Sequence, residues 1–273
     1  SGTGSLRAAI DSANSSPGAD AIVFNISGTA PHTITLASPL PAISADGGAV
    51  MIDATSEPDF QNAPVVVLDG SNLAPGESGL VLIAADCLVR GLVINGLESD
   101  SNVGGGQAIS IIGGGNCRIE GNYLGTNASG SAAVPNTTGV SIQISAGSVV
   151  GGTVAAARNV ISGNESVGVT VNYDQTATAN AISGNYIGTN AAGSAAIPNG
   201  TGIYLSSAPG NVVGGLAAGS RNVISGSLNP RQPPRRNGNW EASPAPNRLE
   251  PIDFLMDSAS ATSMHSKSTK PSR

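Results

Sequence analysis

The stretch Gly121-Asn-Tyr-Leu-Gly-Thr-Asn127 returns further along the chain as Gly184-Asn-Tyr-Ile-Gly-Thr-Asn190. A second stretch, Arg158-Asn-Val-Ile-Ser-Gly163, returns with the same shift in numbering as Arg221-Asn-Val-Ile-Ser-Gly226. Extended over 121–163 and 184–226, the two copies align without a gap and 27 of the 43 pairs are identical. An internal repeat of fixed period predicts a stack of similar units rather than a globular domain.

A shorter signature within this repeat sets the size of the unit. The signature is Val or Ile, any residue, then Gly, and it recurs about every 31 residues at Val89/Gly91, Ile119/Gly121, Val150/Gly152, Ile182/Gly184 and Val213/Gly215. Each unit of about 31 residues holds roughly three short β-branched stretches and no helical period, which predicts one coil of a parallel β-helix. We expect the Val and Ile of the signature to form one inward column, and its Gly to occupy a turn with positive φ.

Upstream of the regular coils, residues 5–14 predict a short helix. Ser5 is the expected N-cap, and an apolar stripe follows it at Leu6, Ala9, Ile10 and Ala13. A lone amphipathic helix before a strand stack can cover the open end of the core. Candidate strands then follow at Ala21–Ile26, Thr33–Leu36, Val50–Asp53 and Val65–Asp69.

Polar residues at the turns carry two further predictions. Asn122, Asn164 and Asn185 each follow a glycine, and we expect them to adopt left-handed geometry and to form hydrogen-bonded ladders between coils. The stretch Tyr123–Thr138 and its copy Tyr186–Thr201 predict turns enlarged into loops, on the same side of the helix and two coils apart.

The charge pattern divides the chain. Residues 1–228 hold five Arg, no Lys and fourteen Asp or Glu, whereas residues 229–273 hold seven basic and four acidic residues. The acidic body argues against nucleic-acid binding, which needs clustered Arg or Lys. No apolar run approaches the ~20 residues of a membrane helix, and no signal peptide is recognisable. We predict a cap over residues 1–20, a β-helix over 21–227 and a disordered tail over 228–273.

The sequence also resembles a known family. Gly4-Ser-Leu-Arg-Ala-Ala-Ile10 followed by Ala21-Ile-Val-Phe-Asn25 resembles the N-terminal segment of large bacterial secreted proteins with right-handed parallel β-helix repeats, and the two repeated stretches quoted above resemble their repeats. The resemblance covers about residues 1–227. It implies an all-β, right-handed parallel β-helix at an extracellular or cell-surface location. The wider pectate-lyase-like superfamily includes lyases, polygalacturonases, epimerases and adhesins, so the resemblance leaves the activity open.

The carboxylates are scattered rather than paired, at Asp46, Asp53, Asp69, Asp86, Glu98 and Asp100. Polysaccharide hydrolysis needs two or three carboxylates that face one cleft. Asp53 and Asp69 both end candidate strands and form the best enzyme-like pair, although a strand-end Asp is also common in turns. We favour the turn. The Asp-Asp, Gly-His-Gly and Asp-Pro-His patterns of β-helix polygalacturonases and epimerases do not occur.

A lyase of this fold would use an Arg or Lys base and Ca²⁺ held by several Asp. The available arginines are Arg90, Arg118, Arg158 and Arg221. Arg158 and Arg221 precede the same strand in two units, so repetition explains them better than catalysis. Arg90 and Glu120 fall at one register in neighbouring coils, and we expect an exposed ion pair there, worth up to ~1 kcal/mol.

The spacing of the histidines and cysteines does not indicate a catalytic or metal site. We expect His32, which follows Pro31 at a strand start, to be solvated or to cap a turn, and the second histidine, His265, lies in the tail. Cys87 and Cys117 are one unit apart and should stack inward as free thiols, with a disulfide as the alternative. The spacing of Cys and His matches no metal site. The sequence therefore predicts no catalytic, cofactor-binding or metal-binding residue.

The resulting functional expectation is a non-catalytic structural or adhesive module that contacts polysaccharide or surface proteins. The alternative is a polysaccharide lyase or glycoside hydrolase, and Ca²⁺ is expected as a cofactor only in that case. A cleft lined by carboxylates with an Arg or Lys would favour the enzyme, whereas a flat polar face would favour the module.

Overall fold

The computed structural model describes residues 4–102, 104–172 and 175–225. These residues form a parallel β-solenoid of about six turns, each of about 31 residues, preceded by one helix. The helix α1 spans Leu6–Ser15, and two short 3-10 helices span Ala54–Ser56 and Ala155–Ala157. The predicted tail, residues 228–273, lies outside the described residues.

In chain order the strands are β1 (Asp20–Val23), β2 (His32–Thr35), β3 (Val50–Asp53), β4 (Val66–Asp69), β5 (Leu80–Leu82), β6 (Leu88–Arg90), β7 (Leu92–Asn95), β8 (Gln107–Ile112), β9 (Arg118–Glu120), β10 (Tyr123–Leu124), β11 (Thr138–Gln143), β12 (Val149–Gly151), β13 (Val160–Ile161), β14 (Val167–Asn172), β15 (Ala181–Ser183), β16 (Tyr186–Ile187), β17 (Thr201–Leu205), β18 (Val212–Val213) and β19 (Val223–Ile224).

Within the described residues the strands form three parallel sheets. Sheet 1 has the order β1-β3-β6-β9-β12-β15-β18, sheet 2 has β2-β4-β7-β10-β13-β16-β19, and sheet 3 has β5-β8-β11-β14-β17. Each strand therefore pairs with its counterpart one coil away, which confirms the predicted parallel β-helix. No helix in this part of the chain is long and apolar enough to cross a bilayer.

The signature residues form the inward column that the sequence predicts. Ile119 pairs with Val89 on one side and Val150 on the other, and the column continues through Ile182 to Val213. All five side chains are buried in one continuous core. Because burial of one Val or Ile stabilises the fold by about 1.5–3 kcal/mol, repetition of this column supplies much of the driving force for stacking.

Helix α1 closes the first coil, as predicted. Ser5 accepts a hydrogen bond from the Ala8 amide, and Leu6, Ile10 and Ala13 are buried in the common core. Asn14 fixes the helix to the chain that passes beside it: its Nδ2 donates to the Ala42 carbonyl and its Oδ1 accepts from the Ser44 amide, both at 2.8 Å. The apolar stripe therefore covers the end of the core.

The predicted N-terminal strands exist, with shifted ends. Val50–Asp53 is confirmed as β3, β2 begins and ends one residue earlier than predicted, and β4 begins one residue later than predicted. The first predicted strand, Ala21–Ile26, is too long, because β1 ends at Val23 and residues 24–26 leave the sheet. Side chains hold this segment instead: the Phe24 amide donates to Ser56 Oγ and the Ile26 amide to Glu57 Oε2.

Asparagine ladders are confirmed, but the predicted left-handed geometry is wrong. Asn122, Asn164 and Asn185 are buried, and none is among the described non-glycine residues with positive φ. They point inward and belong to two ladders rather than one. The first runs Asn122–Asn159–Asn185–Asn222, and the second runs Asn136–Asn164–Asn199.

The turn conformation with positive φ falls on glycines rather than on these Asn residues. Positive φ occurs at four of the five signature glycines: Gly91, Gly121, Gly184 and Gly215. The prediction is wrong at Gly152, where the preceding Gly151 has φ 90° instead.

The two enlarged turns are confirmed as loops on sheet 2, two coils apart. Each loop folds over the tyrosine that begins it. A Cβ atom at Gly130 would lie only 2.9 Å from the Tyr123 ring, and a Cβ atom at Gly193 only 2.8 Å from the Tyr186 ring. The loops also meet each other, since the Ala191 amide donates to the Gly130 carbonyl at 2.9 Å.

Candidate functional sites

The structure separates the best enzyme-like pair of the sequence. Asp53 ends β3 in sheet 1, whereas Asp69 ends β4 in sheet 2. Each carboxylate also stabilises the turn that follows it, because Asp53 Oδ1 accepts from the Thr55 amide and Asp69 Oδ1 from the Ser71 amide, both at 3.0 Å. The turn interpretation is therefore confirmed for both residues.

The other scattered carboxylates also lie in connections. Asp46, Asp86 and Glu98 are exposed and lie between strands. Asp100 forms an isolated bridge with Gly104. None of these four lies on a described strand, so the sheets do not align them with one another.

Arg90 has a different partner from the one predicted. Its register opposite Glu120 is confirmed, but its guanidinium makes a two-pronged bond to Asp53, on the coil before: Nε donates to Oδ1 at 2.9 Å and Nη2 to Oδ2 at 2.7 Å. Glu120 is approached by Arg118 of its own strand and is buried rather than exposed. The predicted Arg90–Glu120 ion pair is wrong because Asp53 offers both carboxylate oxygens within reach of one guanidinium.

This pairing determines the charge state of Asp53. Burial raises the pKa of the Asp53 carboxyl, but hydrogen bonds from Arg90 and Thr55 and the charge of Arg90 outweigh burial, so the net pKa is lowered. The same contact raises the pKa of Arg90. Asp53 is therefore an ionised acceptor and poorly suited to act as a general acid, for which a raised pKa is needed.

Arg158 and Arg221 precede equivalent strands, β13 and β19, as repetition predicts. The Arg158 guanidinium lies 4.4 Å above the centre of the Tyr186 ring, and its Nε donates to the Gly184 carbonyl at 3.2 Å. This arginine therefore joins neighbouring coils by a cation–π contact rather than facing an open cleft.

Cys87 and Cys117 are free, buried and in successive coils, as predicted. Both thiols approach the Ala84 carbonyl, at 3.6 Å and 3.5 Å. The neighbouring Cys117 thiol lowers the pKa of Cys87, and the Cys87 thiol together with burial raises the pKa of Cys117.

His32 is where sequence reasoning fails most clearly. The predicted solvated or capping histidine is buried, with 5% of its surface exposed. It pairs with Val66 in β4, which in turn pairs with Leu92, both of them core residues. It therefore occupies an inward position that the next two coils fill with the aliphatic side chains of Val66 and Leu92.

Two carboxylates meet the His32 ring. Nε2 lies 3.1 Å from Asp59 Oδ2 and 3.7 Å from Glu57 Oε1. Glu57 is 3% exposed, whereas almost half of the Asp59 side chain is open to solvent. We name this group the histidine–carboxylate cluster. Sequence spacing gave little signal for it, because His32 and Glu57 lie far apart along the chain and only the coil brings them together.

Sheet 3 presents a different surface. Its described strands, β5, β8, β11, β14 and β17, contain no Asp, Glu, Lys or Arg. Its register aligns Ser110, Ser141 and Thr170 in neighbouring strands. The charged strand residues near one another lie on sheet 1 instead, in β3, β6 and β9. The described strands of sheet 3 therefore offer no carboxylate and no Lys or Arg for acid–base chemistry.

In comparisons with known proteins, no protein-family model and no curated protein sequence matched this chain.

Proposed function

We propose that this chain is a non-catalytic structural or adhesive β-helix module of a secreted or cell-surface bacterial protein. The observation that carries the proposal is that the charged strand-end side chains are paired with one another or stabilise turns. Asp53 and Arg90 neutralise each other, Asp69 stabilises a turn, and the strands of sheet 3 carry no charge.

Hydrolysis of a glycosidic bond needs a protonated carboxyl close to a second carboxylate. The strand-end carboxylates do not provide this arrangement, since Asp53 is held ionised by Arg90 and Asp69 ends a strand of another sheet. A module that only presents a surface needs neither group.

The interior supports a role as a stiff spacer. In the Asn ladders each amide donates to a carbonyl of an earlier coil and accepts from a neighbouring coil, as Asn159 does between Ile119 and Asn122. These bonds fix the register of successive coils, because a shifted coil would leave buried amides without partners. A rod of fixed register can hold a binding surface away from its point of attachment.

The surface of sheet 3 supports a polar, uncharged partner. Its margins carry uncharged side chains such as Gln107, Gln143 and Asn172, whose hydrogen bonds suit polysaccharides and polar protein surfaces. The acidic body disfavours nucleic acid. The resemblance of the N-terminal and repeat motifs to secreted bacterial β-helix proteins supports the extracellular location.

A second candidate function has one observation in its favour. Two carboxylates and two arginines, Asp53, Glu120, Arg90 and Arg118, lie on neighbouring strands of sheet 1. A polysaccharide lyase or glycoside hydrolase of this fold would use such groups, with Ca²⁺ as cofactor for a lyase. The close pairing of Asp53 with Arg90 makes this the weaker candidate.

A glycan screen distinguishes the two functions. The full chain is incubated with pectin, alginate and related polysaccharides, with and without Ca²⁺, and released unsaturated sugar and new reducing ends are measured. Pull-down on the insoluble polysaccharides measures binding. The proposal predicts no sugar release with any substrate. Release that is abolished by Arg90→Met but retained by Arg7→Met, a distant arginine on α1, would establish the enzyme instead.

A further inference from the structure

We propose that the histidine–carboxylate cluster, His32, Glu57 and Asp59, is a binding site for a zinc-type divalent transition metal ion. The site would join β2 to the chain that follows the 3-10 helix Ala54–Ser56, at the N-terminal end of the β-helix. The proposal is independent of the function proposed above.

The spacing of the three donor atoms fits a tetrahedral ion. Bonds of 2.0–2.1 Å to nitrogen and oxygen place two ligand atoms of a tetrahedral zinc ion about 3.4 Å apart. The observed distances from His32 Nε2, 3.1 Å to Asp59 and 3.7 Å to Glu57, lie on either side of this value. All three atoms lie within 4.8 Å of one another, so a small rotation of one carboxylate completes the geometry.

Two of the three ligands are already held in place. The His32 amide donates to the Val65 carbonyl at 2.7 Å, which anchors the residue in sheet 2. Glu57 Oε2 accepts from the Ile26 amide at 2.9 Å, which leaves Oε1 to face the imidazole. Hydrogen bonds to the remote atoms of ligands orient them for metal binding. Asp59 is the exposed third ligand and supplies the path by which the ion enters.

The charges around Glu57 also favour a bound cation. A carboxylate as deeply buried as Glu57 needs a positive partner, because an unpaired buried charge is costly. Among the described residues, the only basic group within 4 Å of Glu57 is the His32 imidazole, which Asp59 shares. A dication between the three groups balances both carboxylates and accepts the imidazole lone pair.

The donor set indicates which metal. One imidazole nitrogen and two carboxylate oxygens are ligand types that zinc takes, and sites with three protein ligands are typical of zinc. Ca²⁺ prefers six to eight oxygen ligands and is disfavoured by the imidazole. This separates the site from the Ca²⁺ that a lyase on sheet 1 would use.

The test is titration of the metal-free full chain with Zn²⁺ by calorimetry under reducing conditions, with Ca²⁺ as a parallel titrant. We expect one Zn²⁺ per chain, no comparable Ca²⁺ binding, and a rise in the thermal unfolding temperature on addition of Zn²⁺. Asp59→Asn keeps the shape of an exposed side chain and should weaken Zn²⁺ binding at least about tenfold. His265→Gln is the matched control, because it removes the chain's other histidine, and it should bind as the parent does.

Co²⁺ in place of Zn²⁺ gives a second readout that reports the ligand type. The bound ion should show the visible spectrum of nitrogen and oxygen ligation without a thiolate charge-transfer band, which excludes Cys87 and Cys117 as ligands. The proposal is overturned if the parent binds no Zn²⁺, if Asp59→Asn binds as well as the parent, or if the Co²⁺ spectrum shows thiolate ligation. His32→Gln should also lose Zn²⁺ binding, and if this variant does not fold, the Asp59→Asn comparison alone decides.

Discussion

The first coils, residues 20–95, and the later coils, residues 116–225, use different chemistry to join one coil to the next. In the first coils charged or titratable side chains join neighbouring coils, as in Asp53 with Arg90 and Glu57 with His32. In the later coils the contacts are amide ladders such as Asn159 with Asn185. Only the second region shows the long gap-free repeat in its sequence.

One column of sheet 1 shows the change: it begins at Val50, the first residue of β3, and continues through the residue that precedes each later strand, starting with Cys87 and Cys117. The Val50 amide donates to the Cys87 thiol, the Cys117 amide to a serine hydroxyl, and the next two amides to asparagine oxygens. The later members of the column are Ser148, Asn180 and Asn211. The same backbone donor is thus satisfied by sulfur, hydroxyl and amide in turn.

The difference follows from hydrogen-bonding capacity. An asparagine amide both donates and accepts, so identical residues can stack without limit, whereas an ionised carboxylate only accepts and needs a cation beside it. A ladder of amides can therefore repeat in sequence. A contact between carboxylate and cation needs two residue types and appears once.

The largest expected effect is the loss of one interior amide. Asn159→Ala removes the group that donates to the Ile119 carbonyl and accepts from the Asn122 amide, so both backbone groups lose a buried hydrogen bond. At about 1–3 kcal/mol for each buried group that loses its partner, the free energy of unfolding should fall by about 2–5 kcal/mol. Urea denaturation followed by circular dichroism measures the change.

The matched control is Asn72→Ala, at an exposed turn of the first region. It should change the free energy of unfolding by less than about 0.5 kcal/mol. Equal effects at the two positions would show that the ladders do not hold the later coils together.

The charged contact of the first region should respond to pH. Arg90→Met leaves Asp53 without its cation and should cost about 1–2 kcal/mol at about pH 7, between the values typical of exposed and buried pairs. Because folding lowers the pKa of Asp53 below 3.8, the stabilisation is present above the pKa of the unfolded chain. It is lost as the pH falls through the lower pKa of the folded state.

Urea midpoints of the parent and Arg90→Met at about pH 7 and about pH 3 test this sign. The gap between the two proteins should narrow in acid. Arg118→Met, whose side chain is 61% exposed, should show a smaller gap at neutral pH. A gap that widened in acid would contradict the assigned role of Asp53.

The sequence predicts the later coils better than the first for the same physical reason. The inward column through Ile119 and Val150, the two loops and the amide ladders are confirmed, because each repeats at a fixed spacing. The Asp53–Arg90 pair and the histidine–carboxylate cluster occur once. Arg90 lies 37 positions after Asp53 and Asp59 lies 27 positions after His32, and no local pattern distinguishes these residues from exposed polar ones.

A smaller effect is expected where the column changes chemistry. Cys117→Ser places at this position the hydroxyl that the next coil has at Ser148, and it should change stability by no more than about 1 kcal/mol. Cys117→Val cannot donate to the Ala84 carbonyl and should cost more. Thiol titration of the parent in denaturant without reductant should find two free thiols. A count of zero would show that the two cysteines form a disulfide.

The smallest expected effect lies on the surface of the later coils. Tyr186→Leu removes the ring beneath the Arg158 guanidinium and should cost about 0.5–1 kcal/mol, typical of an exposed cation–π contact. Arg158→Met in the Tyr186→Leu background should then lower the free energy of unfolding only a little further. A double-mutant cycle by urea denaturation measures the coupling energy between the two residues, and a value near zero would show that the cation–π contact does not stabilise the fold.

One register runs through all the described coils of sheet 1, across both regions. Ala21 in β1 and Val212 in β18 are exposed and belong to one column, which passes through Met51, Leu88, Arg118, Val149 and Ala181. Six steps of about 4.8 Å place the two backbones about 29 Å apart. Spin labels at Ala21→Cys and Val212→Cys, with Cys87 and Cys117 replaced by Ser, measure this distance by pulsed electron paramagnetic resonance. We predict a single narrow distribution centred at about 30 Å, widened only by the label linkers, whereas a broad distribution or one centred beyond about 45 Å would contradict the stacked coil.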